Sequence, residues 1–418
     1  MHIIDELSWR GLIQDSTDLD ALRNEIEADQ VTFYAGFDPT ASSLHVGHLM
    51  QALTAQRLQK AGLRPVLLVG GATGQIGDPR ESSERPLNPV EVIADWVEKI
   101  RQQLSPFVTF EGANAAIVVN NLDWAADISI VEFLRDVGKH FPVSKMLNRE
   151  VVKARLESGI SFTEFSYQLL QSHDYYELHQ RHNVNLQYGG SDQWGNITAG
   201  VDYIRRRTGD HVHAFVTPLV TKADGTKFGK SEGGGVWLDA EQTSPYAFFQ
   251  FWVNADDRDV ISYLKYFSAK DRSEIEELEK ATADKPAARM AQKALAEELT
   301  VLVHGRTECD QVIAASQALF GRGRLDELSE PTLIAALHEA GLAELSEAEL
   351  TVAELMQRAG VVASLSEARR TVRDGGAYLN NERLTDATAP VDRSQLLHGR
   401  YAVVRRGKKT IAGADLGA

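Results

Sequence analysis

The chain has 418 residues, of which 43% are hydrophobic and 25% are charged, and its formal net charge at pH 7 is −15. This length predicts two to four domains, and the composition excludes a disordered or fibrous protein. The single cysteine, Cys309, excludes an internal disulfide and a thiolate zinc cluster. We expect a soluble cytoplasmic protein, because no run approaches the roughly 18 apolar residues of a membrane-spanning helix and the start lacks the pattern of a secretory signal.

The first third of the chain alternates apolar runs with helical spacing. Three segments have the composition of buried strands: 30–36, 64–71 and 115–122. Between them, apolar residues recur at helical intervals, and Asn88 and Pro89 are the expected cap and first residue of the second helix. The alternation predicts an α/β fold with a Rossmann-like parallel sheet, in which ligands bind beyond the carboxyl ends of the strands.

The rest of the chain changes character along its length. Residues 125–185 are mainly helical and are expected to interrupt the sheet domain, which we place at 1–242. Residues 243–342 show helical periodicity throughout and predict an α-helical domain. Residues 343–350 are acidic and predict a linker, and 351–418 predict a small α+β domain with two short helices followed by hairpin signals.

The first motif that could carry chemistry follows the first predicted strand. Tyr34-Ala-Gly-Phe-Asp-Pro-Thr40 leads into Leu44-His-Val-Gly-His48, where a helix begins. His45 and His48 would lie at the helix N-terminus, which favours phosphate, and Gly47 would let a nucleotide approach the backbone. The alternatives are a purely structural role and a metal site, although two histidines without a third ligand support metal binding weakly.

The second motif is the glycine- and lysine-rich segment 223–235, which contains Lys227, Lys230 and Ser231. A lysine on such a loop is a point charge that can meet a leaving pyrophosphate. On its own, the segment is more typical of a solvated loop. It is not a Walker P-loop, because the required spacing of glycine, lysine and serine or threonine is absent.

A third group of polar residues follows helical spacing in the segment 162–174. Tyr167, Gln171 and Asp174 fall on one stripe of the predicted helix, among phenylalanines and leucines that indicate burial. Buried polar groups require partners, and an amino acid that carries its own hydroxyl would supply them; the alternative is a solvated helix face. Asp192 and Gln193 lie in a further turn that opens the next helix.

The two motifs together resemble the paired signatures of class I aminoacyl-tRNA synthetases, with HVGH and KFGKS in the two positions. Over essentially its whole length, the chain resembles the bacterial tyrosyl-tRNA synthetases. The resemblance implies activation of tyrosine with ATP, release of pyrophosphate, and transfer of tyrosine to the 3′-terminal ribose of its tRNA. It also implies Mg²⁺ with the ATP, no tightly bound cofactor or metal, and a homodimer. Residues 243–342 would then be the anticodon-binding domain.

The resemblance also assigns roles to single residues. The substrate phenol would be held by Tyr34 and Asp174, its ammonium by Asp78, Tyr167 and Gln171, and its carboxylate region by Gln193. The groups implied in catalysis on the phosphates are Thr40, His45, His48, Arg85, Lys227 and Lys230. The implied ATP-binding set is Gly36, Asp38, Gly47, His48, Asp192, Lys230 and Ser231. The sequence departs from some members at Ala35, at Gln51 and in the short 80–84 loop, which places those nucleotide contacts in doubt.

The last domain carries a charge that differs from the rest of the chain. Residues 351–418 have a net charge of +4, which leaves −19 for the other residues; a phosphate-binding face and chance variation both explain this difference. Residues 351–418 resemble a small RNA-binding domain shared with a ribosomal small-subunit protein and some pseudouridine synthases, through the pattern from Ser366 to Asn380. By that resemblance Arg369, Arg370 and Arg373 would contact the long variable arm and the anticodon end of the tRNA, through phosphates rather than bases.

Three other classes of protein share parts of this pattern. A tryptophanyl enzyme would share the fold and both signatures but would not need Tyr34 and Asp174 around a phenol. A nucleotidyltransferase without RNA would explain HVGH but not the helical domain or the basic tail. A non-enzymatic RNA-binding protein on the same scaffold would not need to keep either signature.

Overall fold

The structure, a computed structural model, describes residues 1–79, 87–224, 228–231, 234–321, 323–345, 350–407 and 410–417. The chain divides into two compact units, one of Met1–Leu238 with Asp256–Glu276 and the other of Asp239–Ala255 with Glu277–Ala418. Within the described ranges, no helix has both the length and the apolar character needed to cross a membrane. Residues 256–276 thus pack with the first unit, although the sequence placed them in the helical domain.

The first unit is built around a six-stranded sheet with the order β1-β6-β5-β2-β3-β4. Its strands are β1 Asp15–Ser16, β2 Thr32–Phe37, β3 Arg64–Val69, β4 Ile117–Asn120, β5 Leu186–Gly190 and β6 His213–Thr217. All neighbours pair in parallel except β1, which is antiparallel to β6. The predicted parallel α/β sheet is therefore confirmed. A short hairpin follows, formed by β7 Lys230–Ser231 and β8 Gly234–Gly235.

Helices cover most of the remaining described residues. In chain order they are α1 Ile3–Arg10, α2 Leu19–Glu27, α3 Val46–Lys60, α4 Thr73–Ile76, α5 Val90–Leu104, α6 Leu122–Ala125, α7 Ile130–Glu132, α8 Val143–Leu147, α9 Glu150–Arg155, α10 Phe162–His182, α11 Trp194–Thr208, α12 Pro245–Val253, α13 Val260–Phe267, α14 Arg272–Asp284, α15 Met290–His304, α16 Arg306–Leu319, α17 Glu330–Ala340, α18 Val352–Arg358 and α19 Leu365–Arg373. Helix α5 begins one residue later than predicted, because Pro89 keeps an extended backbone and is itself the cap.

The second unit contains a five-stranded sheet with the order β11-β10-β12-β13-β9. Its strands are β9 Leu342–Glu344, β10 Ala377–Leu379, β11 Glu382–Arg383, β12 Tyr401–Arg406 and β13 Thr410–Asp415. Asn380 and Asn381 both have positive φ at the β10–β11 turn, as a tight two-residue hairpin requires. The sequence did not predict β9: residues 343 and 344 of the expected linker pair in parallel with β13, and 346–349 lie outside the described residues.

Candidate functional site

A cavity of about 440 Å³ opens at the carboxyl ends of β2, β3 and β5 in the first unit. Every predicted site residue of this unit whose side chain is described lines it: Tyr34, Gly36, Asp38, Thr40, His45, Gly47, His48, Asp78, Tyr167, Gln171, Asp174, Asp192 and Gln193. The parallel sheet explains this convergence, since strands of one direction end at one edge.

Helix α10 supplies one wall of the cavity. Tyr167, Gln171 and Asp174 are separated by one turn each and face the cavity together, as the spacing predicted. Tyr167 and Asp174 are buried. Gln171 Oε1 is also buried and has no hydrogen-bond partner among the described residues. This wall therefore offers an acceptor that a cationic or hydroxyl-bearing ligand could satisfy.

Asp174 is 4% exposed and its carboxylate is held from two sides. Trp124 Nε1 donates to Oδ1 over 2.8 Å, and Asn121 Nδ2 donates to Oδ2 over 3.0 Å. Burial raises the pKa of Asp174 from 3.8 to about 7, and the two donors act against that rise. The carboxylate can still accept a hydrogen from a ligand, because each oxygen has more than one lone pair.

Tyr34, on β2, also lines the cavity and is 1% exposed. Its hydroxyl accepts a hydrogen bond of 2.5 Å from Gln187 Nε2 on the neighbouring strand β5. Burial and the nearby Asp174 carboxylate hold the pKa of the Tyr34 phenol well above 10. Tyr34 is therefore a neutral hydroxyl that can donate one hydrogen bond into the cavity.

Two further carboxylates, Asp78 and Asp38, line the cavity. Asp78 accepts from Gln193 Nε2 at 2.8 Å and from Asn196 Nδ2 at 3.1 Å, and burial raises its pKa. Asp38 accepts from the Tyr167 hydroxyl at 2.5 Å and from Thr73 Oγ1 at 2.6 Å. Asp38, which the resemblance placed on ATP, is thus bonded to a residue of the predicted ammonium site.

The two histidines of HVGH form the N-terminal cap of α3. His45 Nδ1 accepts from the Gly47 amide at 3.0 Å, and His48 Nδ1 accepts from the His45 amide at 3.2 Å. The rings stack with centroids 3.9 Å apart. Because each Nδ1 accepts a hydrogen, the proton of each neutral ring is on Nε2. A side chain at Gly47 would approach the His45 ring within 2.7 Å, so this cap requires glycine.

The remaining predicted residues fall into three groups. Arg85 and Lys227 lie outside the described residues, and Lys230 and Ser231 form β7 of the short hairpin. In the second unit, Arg369, Arg370 and Arg373 lie on α19 and are exposed. That arrangement is compatible with contacts to phosphate.

The sequence analysis missed several residues that contact the site, among them Asn121, Trp124, Gln187 and Thr73. Two of them follow β4, where an apolar strand ends in two asparagines, and this pattern could have suggested a polar strand end at the cavity. Gln187 is a single amide within the buried strand Leu186–Gly190. A lone buried amide requires a hydrogen-bond partner, and this requirement could have indicated that Gln187 contacts another polar group of the site.

The strands of the parallel sheet end beside a helix that is capped by two histidines and beside a pocket that contains buried carboxylates. This arrangement defines a catalytic domain of the class I aminoacyl-tRNA synthetase type. Comparison with known families agrees: residues 27–321 match tRNA synthetases class I (W and Y), and residues 334–412 match the tyrosine--tRNA ligase SYY-like C-terminal domain. The chain belongs to the tyrosine--tRNA ligase family.

Individual relatives give the same result. The chain is 61% identical to a tyrosine--tRNA ligase of Streptomyces griseus and 54% identical to one of Mycobacterium sp. strain KMS, each over 99% of both chains. Among solved structures, a C-terminally truncated mitochondrial tyrosyl-tRNA synthetase of Coccidioides posadasii is 33% identical with a TM-score of 0.66, over 75% of this chain and 91% of that chain. A tryptophanyl-tRNA synthetase of Encephalitozoon cuniculi, 14% identical with a TM-score of 0.54, shares the fold over 73% and 87% of the chains.

Proposed function

We propose that this chain activates L-tyrosine with ATP to give tyrosyl-adenylate and pyrophosphate, and then transfers tyrosine to the 3′-terminal ribose of its tRNA. The observation that carries the proposal is the pair formed by Tyr34 and Asp174 at the buried end of the cavity. A neutral hydroxyl donor and a carboxylate acceptor together match a phenol, which both accepts and donates one hydrogen bond.

The rest of the tyrosine fits the other described groups. Asp78, Tyr167 and Gln171 offer a carboxylate, a hydroxyl and an amide oxygen to the ammonium, and Gln171 Oε1 gains the partner that it lacks. Gln193, which donates to Asp78, is assigned to the carboxylate region of the substrate. Asp192 is assigned to the ribose of ATP. Of the departures from some relatives, Ala35 and Gln51 both line the cavity, and residues 80–84 lie outside the described residues.

The first chemical step requires no enzyme nucleophile. The tyrosine carboxylate attacks the α-phosphate, and the pyrophosphate leaves as its negative charge grows. His45 and His48 hold their protons on Nε2 and can donate to phosphate oxygens at the N-terminus of α3. We assign Thr40, Arg85, Lys227 and Lys230 to the same phosphates, with Gly36, Gly47 and Ser231 beside the nucleotide. Mg²⁺ enters as part of the substrate MgATP, held mainly by phosphates and water.

Selection of tyrosine against phenylalanine follows from the same geometry. A site built to hydrogen-bond a hydroxyl rejects the analogue without it, because its own buried groups stay unpaired, as is long established for tyrosyl-tRNA synthetases. An indole could donate its N–H to Asp174 but has no oxygen to accept from Tyr34, so a tryptophanyl enzyme would leave the Tyr34 donor unpaired. A nucleotidyltransferase or a non-enzymatic RNA-binding protein would not require the tyrosine pocket at all.

We also assign the partners of the second step and the assembly. Residues 243–342 would bind the anticodon region, and Arg369, Arg370 and Arg373 would bind tRNA phosphates. A homodimer is supported by apolar side chains that are exposed on the first unit: Ile130 is 76%, Val131 66% and Phe162 73% exposed. Phe162→Asp should yield monomers in sedimentation analysis, and an unchanged dimer would place the interface elsewhere. The cytoplasm is the proposed location.

The primary test is ATP–pyrophosphate exchange without tRNA, run with tyrosine, phenylalanine and tryptophan. Exchange with tyrosine alone is expected, whereas exchange with tryptophan would overturn the assignment of Tyr34 and Asp174. Lys230→Ala should slow exchange far more than it weakens tyrosine binding, and equal losses would contradict a transition-state role. Tyr34→Phe combined with Asp174→Ala should erode discrimination; unchanged selectivity would refute the phenol site.

A further inference from the structure

Gln187 occupies a position that the assignments above do not use. It lies on β5 directly beside Tyr34 of β2, its register partner in the parallel sheet. Its side chain is 2% exposed, lines the cavity and donates through Nε2 to the Tyr34 hydroxyl at 2.5 Å. Its Oε1 is buried without a hydrogen-bond partner among the described residues. Retaining an amide here costs the fold an unsatisfied acceptor.

The amide controls the direction in which the Tyr34 hydroxyl points its hydrogen. A hydroxyl that accepts from an N–H group keeps its own proton for another acceptor. Trp124 and Asn121 both donate to Asp174, which favours its ionised form, and an ionised carboxylate can only accept hydrogen bonds. The pocket therefore combines a hydroxyl donor, Tyr34, with a carboxylate acceptor, Asp174. A substrate phenol can form hydrogen bonds with both of them in only one order.

We propose that Gln187 is a specificity-determining positioning residue that sets the direction of the hydrogen bonds from Tyr34 through the substrate phenol to Asp174. Resting on the proposed function, the order is Gln187 N–H to the Tyr34 oxygen, the Tyr34 hydroxyl to the phenol oxygen of the substrate, and the substrate hydroxyl to the Asp174 carboxylate. Gln187 contacts Tyr34 and acts through it. Its contribution should appear in the choice between tyrosine and phenylalanine, because phenylalanine has no hydroxyl to be ordered.

Two substitutions separate this role from simple packing. Gln187→Met keeps the length of the side chain without any hydrogen bond, and Gln187→Glu offers acceptors only, which reverses the order. The measured quantity is the ratio of kcat/KM for tyrosine to that for phenylalanine in pyrophosphate exchange. Both substrates are tested on the same preparation, so a reduced folded fraction cancels. Gln168→Met is the matched control, since Gln168 is a buried amide that bonds to the Gly195 carbonyl and does not line the cavity.

We expect Gln187→Met to lower the ratio by about five- to tenfold, the equivalent of one neutral hydrogen bond, and Gln187→Glu to lower it further. Gln168→Met should leave the ratio unchanged. The decisive comparison is Gln187→Met on the Tyr34→Phe background, where the hydroxyl to be ordered is gone and the additional change should be less than about twofold.

The outcomes distinguish the inference from the function on which it rests. A wild-type protein that exchanges with tyrosine, together with a Gln187→Met variant that keeps its ratio, would refute the positioning role alone. Full additivity of Gln187→Met and Tyr34→Phe would show that Gln187 acts independently of the hydroxyl, which also overturns it. Absence of exchange in the wild-type protein with any amino acid would instead refute the proposed function.

Discussion

The buried carboxyl group of Asp174 should leave a measurable signature in the pH dependence of stability. Its pKa is 3.8 in an unfolded chain and about 7 in the folded protein, where burial disfavours the charged form. Between these values the native state retains a proton that the unfolded state has lost, so the free energy of unfolding falls as pH rises. The fall from this group is about 1.4 kcal/mol per pH unit within the window, and about 4 kcal/mol in total.

Asp174→Asn removes this titration. The free energy of unfolding of the variant minus that of the wild type should increase as pH rises from 4.5 to 7 and then stay level. The altered hydrogen bonds add only a constant offset to this difference. Trp124→Phe should act in the opposite sense: it deletes a donor to the ionised form, raises the pKa further and extends the loss of stability above pH 7. Urea unfolding of the full chain at closely spaced pH values measures all three proteins.

The test is how the differences in stability among these three proteins change with pH. If the stability difference between Asp174→Asn and the wild type were the same at pH 5 and pH 8, Asp174 would not titrate between its two states in this range. The assignment of its pKa to burial would then be wrong. A Trp124→Phe variant whose curve coincides with the wild type would show that the Trp124 hydrogen bond does not stabilise the carboxylate.

Three further predictions concern single side chains. Gly70→Ala should cost about 2 kcal/mol or more of stability, because a Cβ there would lie 2.0 Å from Asp38 Oδ1 and 2.2 Å from Thr73 Oγ1; an unchanged melting temperature would contradict this packing. Gln171→Met should raise KM for tyrosine and phenylalanine by the same factor, at least about tenfold for a bond to a charged group, and a selective effect on tyrosine would move Gln171 away from the ammonium. His48→Asn should slow exchange by about 100-fold while equilibrium dialysis shows unchanged tyrosine binding; a parallel loss of binding would argue for a ground-state role.

Local patterns in the sequence were sufficient to predict those parts of the site that lie on a single helix. Tyr167, Gln171 and Asp174 share a face because helical geometry fixes their spacing, and the cap formed by His45 and His48 depends only on neighbours in the chain. These features are determined by backbone geometry over one or two turns. They could be predicted without knowing what the rest of the chain does.

The partners of those residues could not be found in the same way. Gln187 meets Tyr34 only because β5 pairs with β2 across 153 residues of sequence, and nothing near Gln187 specifies that register. Asn121 and Trp124 reach Asp174 from a strand end and a short helix more than 45 residues away. Strand β9 likewise exists only through pairing with β13. Contacts of this kind are decided by tertiary packing, which local propensity does not encode.

Two of the polar groups that the substrate would satisfy weaken the protein in its absence. Gln171 Oε1 is a buried acceptor without a partner among the described residues, and Asp174 is a carboxyl group whose ionisation opposes folding at neutral pH. Their cost is recovered only when a ligand supplies an ammonium and a hydroxyl in the correct places. Selectivity for tyrosine and reduced stability of the unliganded site are therefore two consequences of the same buried groups.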